Sequence, residues 1–199
     1  RWYRDSVGTP RMLGVNWDVT EEVAAHRELQ RAKDLAEARN VELEAAKARI
    51  EHNALHDTLT GLPNRRYLDQ VLADRAAEAA LTGASVALLH IDLDRFKQIN
   101  DTLGHIAGDA MLVHAAELLR RNMGAGDFVA RVGGDEFIVV CSYAGEQNRL
   151  IDLARAVVEQ MRQPVPYHGH FCRFGASIGI AAQHGTGVDP MRLMIDADI

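Results

Sequence analysis

Arg131-Val132-Gly133-Gly134-Asp135-Glu136-Phe137 is the stretch on which the reading turns. Apolar runs flank it, Phe128–Val132 before and Phe137–Cys141 after, so the residues between read as the tip of a β-hairpin. Two glycines there tolerate positive φ and let a bulky ligand approach the backbone. An ordinary turn also holds Gly and Asp, yet it does not require two glycines followed by two acids. Asp135 and Glu136 at such a tip mark a place that could receive a cation.

Working outward, the chain alternates between strand-like and helix-like segments. Val86–Leu93 is an apolar strand, and helices are expected over about 106–121 and 147–162. Further strands are expected around Val165–Tyr167 and over Phe171–Ala182, with a last helix starting near Asp189-Pro190. Before all of these, Leu59–Asn64 reads as a turn, with Asn64 capping a helix that runs to about Leu81. The order β-α-β-β-α-β predicts an α+β fold with a ferredoxin-like central sheet and helices on one face.

A second acidic segment lies in the first strand of that pattern, His90-Ile91-Asp92-Leu93-Asp94-Arg95-Phe96-Lys97. Strand alternation puts Val86, Leu88, His90 and Asp92 on one side. A carboxylate at that strand end needs a partner, and a divalent cation is one solution. The other reading is a helix cap, a part that Asp94 fits well. If the two strands are neighbours, Asp92 converges with Asp135 and Glu136 to suit one or two Mg²⁺ ions and phosphates.

The N-terminal residues differ in kind. Residues 1–20 hold short strand-like stretches, Trp2–Arg4 and Met12–Trp17, separated by the turn signal Gly8-Thr9-Pro10. Residues 21–55 contain neither Gly nor Pro and read as one long helix. Leu29, Ala36, Leu43 and Ile50 recur every seven residues, a coiled-coil seam interrupted by Arg39 and Asn53. A single helix lying on a domain surface is the alternative. Absence of Met at position 1 and an ending at Asp196–Ile199 inside a helical pattern suggest a piece of a longer protein.

Bulk properties narrow the function classes. A formal net charge of −6 argues against a general nucleic-acid binder, which needs a basic face. No apolar run approaches the roughly 20 residues that cross a bilayer, and no signal-peptide pattern is present. The expected location is cytoplasmic, with no membrane contact by this segment and any anchor of the parent elsewhere. Cys141 and Cys172 sit in apolar strand-like runs, as small core residues of a reducing compartment do.

These segments together resemble the GGDEF domain of bacterial diguanylate cyclases. Arg131–Phe137 is similar to the family signature, and Asp57-Thr58-Leu59-Thr60-Gly61-Leu62-Pro63-Asn64-Arg65-Arg66 resembles its opening motif. Asp92–Asp101 resembles its metal and phosphate segment. Leu103-Gly104-His105, Gly108-Asp109 and Ala176–Ala181 agree in order and spacing. The resemblance covers residues 57–199 and implies a sheet of the nucleotidyl cyclase and polymerase-palm type. Domain bounds follow as 1–20, a PAS-like sensor end carried by Gly14–Glu21; 21–55, a coiled-coil linker; and 56–199, the GGDEF domain, cut short at its C-terminus.

The resemblance implies an enzyme that condenses two GTP into cyclic di-GMP and two pyrophosphates, as the output of an N-terminal sensor. Asp92 and Asp135 resemble the ligands of two Mg²⁺ (or Mn²⁺) ions per site, with the Leu93 carbonyl as a further ligand and Glu136 beside them. Asp135 also stands where the family places the activator of the attacking 3′-hydroxyl. Lys97 resembles the phosphate-neutralising residue, and Asn100 and Asp109 the guanine readers. His105 lies in the same segment, as a substrate contact or a bystander, and Gly133 and Gly134 leave room for the nucleotide. Each domain would hold one GTP, so the product requires a homodimer joined through residues 21–55 with facing GGDEF domains.

Two departures from the family pattern stand out. Many members carry an inhibitory Arg-x-x-Asp site before the hairpin, whereas here Gly124-Ala125-Gly126-Asp127 keeps only the acid, so the site is expected not to function. The family also continues past Ile199 with a basic, phosphate-binding helix and a final strand, so this segment is expected to be catalytically incomplete. The alternative function is a degenerate GGDEF module that binds GTP or cyclic di-GMP and regulates a neighbouring domain; another is an inert cap on a dimerising linker.

Overall fold

The computed structural model describes residues 1–12, 20–143 and 147–198, with the backbone alone at 20–23, 143 and 147. The chain divides into two units, Arg1–Ile50 and Glu51–Ile199.

In the first unit, β1 (Trp2–Arg4) pairs antiparallel with β2 (Pro10–Met12). The carboxylate of Asp5 closes the connection by accepting from the amides of Val7 and Thr9, and Gly8 takes φ 82°. The second strand therefore begins at Pro10, inside the segment expected to be a turn. The remainder of the expected strand, Leu13–Trp17, lies outside the described residues, as does most of Gly14–Glu21. Helix α1 (Thr20–Leu55) matches the expected long helix, and Leu29, Leu43 and Ile50 of its heptad seam are exposed.

The second unit is built on a four-stranded antiparallel sheet. It comprises β3 (Ser85–Asp94), β4 (Phe128–Gly133), β5 (Glu136–Tyr143) and β8 (Gly175–His184), in the order β4-β5-β3-β8. Two crossovers separate neighbours in sequence, so the strand next to β3 is not the one that follows it in the chain. The helices are α2 (Arg65–Thr82), α3 (Phe96–Leu103), α4 (His105–Asn122), α5 (Gln147–Met161) and α6 (Pro190–Ala197). A small hairpin of β6 (Val165–Tyr167) and β7 (His170–Cys172) stands apart from the sheet.

Helices cover both faces of the sheet, not one as expected. Ala87, Leu89, Ile91 and Leu93 of β3 pack with Met111, Ala115 and Leu119 of α4 and Val157 of α5. Val86 and Leu88 point the other way, to Leu68, Leu72 and Ala79 of α2 and Leu193 of α6. A central strand buried on both sides must be apolar at nearly every position, and Val86–Leu89 is such a run.

Two further boundaries differ from expectation. The segment expected as one strand over Phe171–Ala182 breaks at Arg173-Phe174. β8 begins at Gly175 because its pairing partner β3 ends opposite, at Asp94, and residues 170–172 turn to β6 instead. Asp94 does not cap the following helix: Arg95 occupies that position at φ 63°, with no side-chain cap, while Asp94 Oδ1 accepts from Ser177 Oγ at 2.8 Å. Asn64 does cap α2, its side chain accepting from the Tyr67 amide at 3.2 Å. Among the described residues, no helix is long and apolar enough to cross a membrane.

Candidate active site

The hairpin tip and the end of β3 meet. Asp92 lies directly across from Glu136 in the β3–β5 ladder, and the Leu93 amide donates to the Asp135 carbonyl at 3.3 Å. Gly133 pairs with Glu136, leaving Gly134 and Asp135 as the two-residue tip, with Gly134 at φ 44°. Asp92 and Asp135 are half-buried; Glu136, Gly133 and Gly134 are exposed. The Asp92 carboxyl is pushed above its ordinary range, first by burial and then by the charges of Asp135, Glu136 and Asp94, with His90 opposing. Asp92 therefore feels three other carboxylates around a single strand end.

These oxygens suit a hard cation, since mutual repulsion leaves them short of positive charge. Among the described residues, no group of three or more His, Cys, Asp or Glu side chains is placed to hold a metal ion. Mg²⁺ keeps several waters and is bound through one or two carboxylates plus substrate phosphates, so Asp92 and Asp135 would hold it only together with a bound nucleotide.

Arg131 holds the tip in place. Its Nε and Nη2 donate to the Gly134 carbonyl at 3.1 and 2.8 Å, and its Nη1 reaches both carboxylate oxygens of Asp57. Burial alone would raise the Asp57 carboxyl, but hydrogen bonds from the Thr60 hydroxyl and amide and from Arg131 hold it below its ordinary range. The opening turn thus braces the hairpin. Sequence reading quoted both residues without linking them, because nothing local connects positions 57 and 131.

The expected substrate residues lie on α3 and α4. Lys97 is exposed and Asn100 half-buried, one turn apart on α3. His105 and Asp109 are exposed on α4. Gly108 is buried against α3, where an added Cβ would collide with the Asn100 side-chain amide and approach Phe96 Cζ to 3.2 Å. Asp109 follows that close approach, so Asn100 and Asp109 belong to one α3–α4 seam.

His90 is a residue whose surroundings sequence reading missed. It is 8% exposed, and neither ring nitrogen makes a hydrogen bond among the described residues. Nδ1 lies 3.3 Å from Asp198 Oδ1 and Nε2 lies 4.0 Å from Glu136 Oε2. Its alternation with Asp92 was the available signal, but the acidic neighbour Asp198, just past the end of α6, was not legible.

Gly124 and Asp127 stand at the opposite end of β4 from the tip, about 20 Å away at the rise of an extended strand. The Gly124 amide donates to Asp127 Oδ2 at 2.9 Å, so the acid closes its own turn. Arg149 Nη2 lies 3.8 Å from the point that a Cβ on Gly124 would occupy. Burial, together with the charge of Asp127 and its hydrogen bond, pushes the nearby Cys141 thiol up to about 12. Cys141 and Cys172 are both free and buried, as expected of core residues.

Known proteins share this architecture and sequence. The chain is 43% identical over 145 residues to the bifunctional diguanylate cyclase/cyclic di-GMP phosphodiesterase MucR of Pseudomonas aeruginosa, covering 73% of this chain and 21% of that protein. A crystal structure of a sensory box/GGDEF family protein from Caulobacter crescentus is 42% identical, with TM-score 0.67, over 72% of this chain and 93% of that one. The coiled coil and GGDEF domain of DgcB from Caulobacter crescentus, in complex with c-di-GMP, is 26% identical with TM-score 0.75, over 86% and 90%. Across the curated relatives compared, the chain spans between 18% and 38% of the relative's length. Residues 54–199 match the family profile described as diguanylate cyclase, GGDEF domain, and the chain belongs to that family.

Proposed function

We propose that this domain is the catalytic half-site of a metal-dependent diguanylate cyclase. The observation that carries the reading is the convergence of Asp92, Asp135 and Glu136 at one strand end, where burial and mutual repulsion raise the Asp92 carboxyl. Those residues, with the Leu93 carbonyl, would hold two Mg²⁺ or Mn²⁺ ions. Bound there, the metals would neutralise the triphosphate and lower the pKa of the attacking 3′-hydroxyl.

The chain's own groups supply orientation. Asn100 and Asp109 present an amide and a carboxylate along the α3–α4 seam, and a carboxylate accepting from the guanine N1 and N2 donors would disfavour adenine. Lys97, one turn earlier on α3, offers a cation to the phosphates. The exposed glycine pair at 133–134 leaves the tip open, so the 3′-hydroxyl of a second GTP, carried by a facing domain, reaches the α-phosphorus in line.

Facing domains require a dimer, and the exposed Leu29, Leu43 and Ile50 seam on α1 supports pairing through residues 21–55. A paired helix raises the local concentration of the partner domain. Residues 1–20 fit a PAS-like sensor end and residues 56–199 the cyclase domain, working in the cytoplasm. Incubating the longer parent protein with GTP and Mg²⁺ and resolving products by chromatography tests the proposal. Cyclic di-GMP and pyrophosphate are expected, and GTP binding without turnover would favour the degenerate receptor reading.

A further inference from the structure

Two adjoining clefts open on the flank of α3, and both are lined by Arg95 and Arg173. One, of about 400 Å³, is walled by Asp94, Arg95, Arg162, Arg173, Phe174 and Gly175. The other, of about 370 Å³, runs between Gln98 and Thr102 of α3 and the β6–β7 hairpin, with Phe171 on its wall. Phe171 is 69% exposed.

The three guanidiniums come from separate parts of the chain: the β3–α3 junction, the end of α5 and the β7–β8 junction. None makes a hydrogen bond or ion pair among the described residues. Asp94 is the one acid lining the first cleft, and it already accepts from Ser177. A chain of net charge −6 thus gathers three unpaired arginines around one concavity. Arg95 does so from the left-handed region at φ 63°, a conformation that costs free energy for any residue other than glycine.

We propose that Arg95, Arg162 and Arg173 form a second anion site that takes a diphosphate group, outside the carboxylate site at the hairpin tip. Guanidinium forks match phosphate oxygens with paired, charge-assisted hydrogen bonds. Three positive charges against one carboxylate leave a surplus that a doubly or triply charged anion offsets. The aromatic face of Phe171 in the adjoining cleft adds a surface on which a base stacks. Free pyrophosphate and a nucleoside diphosphate share the chemistry, and their affinities separate them.

The test is isothermal titration of inorganic pyrophosphate into the chain without divalent metal, so that it stands independently of turnover. One pyrophosphate is expected per chain, with affinity that falls as salt rises and survives Lys97→Ala. Arg162→Gln and Arg173→Gln should each weaken it at least tenfold, and because both side chains are exposed, far-UV circular dichroism should be unchanged. GDP binding more tightly than pyrophosphate, with the surplus lost in Phe171→Ala, identifies a nucleoside diphosphate; equal affinity identifies the free anion. Absence of binding overturns the proposal. So does binding that disappears in Lys97→Ala while remaining indifferent to Arg162→Gln and Arg173→Gln.

Discussion

Arg131 Nη1 lies 3.0 and 3.1 Å from the two oxygens of Asp57, across 74 positions of sequence. The same guanidinium grips the Gly134 carbonyl, so the opening turn and the acidic hairpin tip share one clamp. Both side chains are largely buried, and removing one partner strands the other, at a cost of about 1–3 kcal/mol. Because the folded carboxyl lies below its ordinary 3.8, its contribution is present above that value and is lost as pH falls through the folded one. Asp57→Asn should lower the melting temperature near pH 7 by roughly 2–10 °C. It should also flatten the acid limb of the stability profile, and thermal melts from neutral pH downward check both.

Asp92 should behave in the opposite sense. Its raised carboxyl means that the ionised form sits uncomfortably among Asp135, Glu136 and Asp94. Its ionisation therefore erodes stability as pH rises above the ordinary carboxylate range. Asp92→Asn should raise the melting temperature in the absence of metal, because a neutral amide removes the repulsion from the neighbouring acids. In the parent enzyme the same substitution should remove most cyclase activity. A variant that is both less stable and fully active would refute the electrostatic account of this site.

Gly108 permits a sharper test of the α3–α4 seam. Placing Ala inside a helix ordinarily gains up to about 1 kcal/mol over Gly. Here the new methyl would strike the Asn100 amide. Gly108→Ala is therefore expected to leave the melting temperature nearly unchanged or lower, and to raise the KM for GTP in the parent by at least tenfold. Asp109→Ala should narrow the preference for GTP over ATP without harming the fold, since Asp109 is exposed. Steady-state rates with both nucleotides read this directly.

Feedback should be weak. Asp127 is committed to the Gly124 amide, and position 124 offers no guanidinium of its own. A missing charged contact costs about 1.5–3 kcal/mol, enough to weaken product binding at least tenfold. Initial rates of the parent against added cyclic di-GMP should show little inhibition, while Gly124→Arg should sharpen it. Any inhibition that remains in the natural sequence should fall further in Arg149→Ala, the arginine that reaches this turn from α5. Submicromolar inhibition of the natural sequence would contradict the prediction.

The seam on α1 predicts a dependence on concentration. Leu43→Lys with Ile50→Lys should lower activity of the dilute parent, and the loss should shrink as protein concentration rises. A parent that sediments as a monomer at tens of micromolar while fully active would refute pairing through residues 21–55.

What sequence made legible was what local chemistry dictates. The acids at 135 and 136 beside two glycines gave the hairpin, and Asn64 gave the start of α2. The apolar run of β3 gave a strand with Asp92 near its end. What it could not show depended on distant partners. Helices on both faces follow from which side of β3 α2 covers, and the strand break at Arg173-Phe174 follows from where β3 stops. The bond from Asp94 to Ser177, which displaces the expected cap, joins positions 83 apart. The clamp of Asp57 by Arg131, and the acidic environment of His90, exist only once the chain has closed on itself.

β3 is paired along nearly its whole length on both sides, with β5 and with β8. Its amides should therefore exchange with solvent deuterium only through global unfolding, and Asp92 inherits that permanence. Asp135 rides instead on a two-residue tip held by a few hydrogen bonds, which can open without disturbing the sheet. One wall of the site is consequently anvil and the other hinge. Ligand capture should slow deuterium uptake at residues 133–136 while leaving 86–91 unchanged, since those amides have no faster route left to lose.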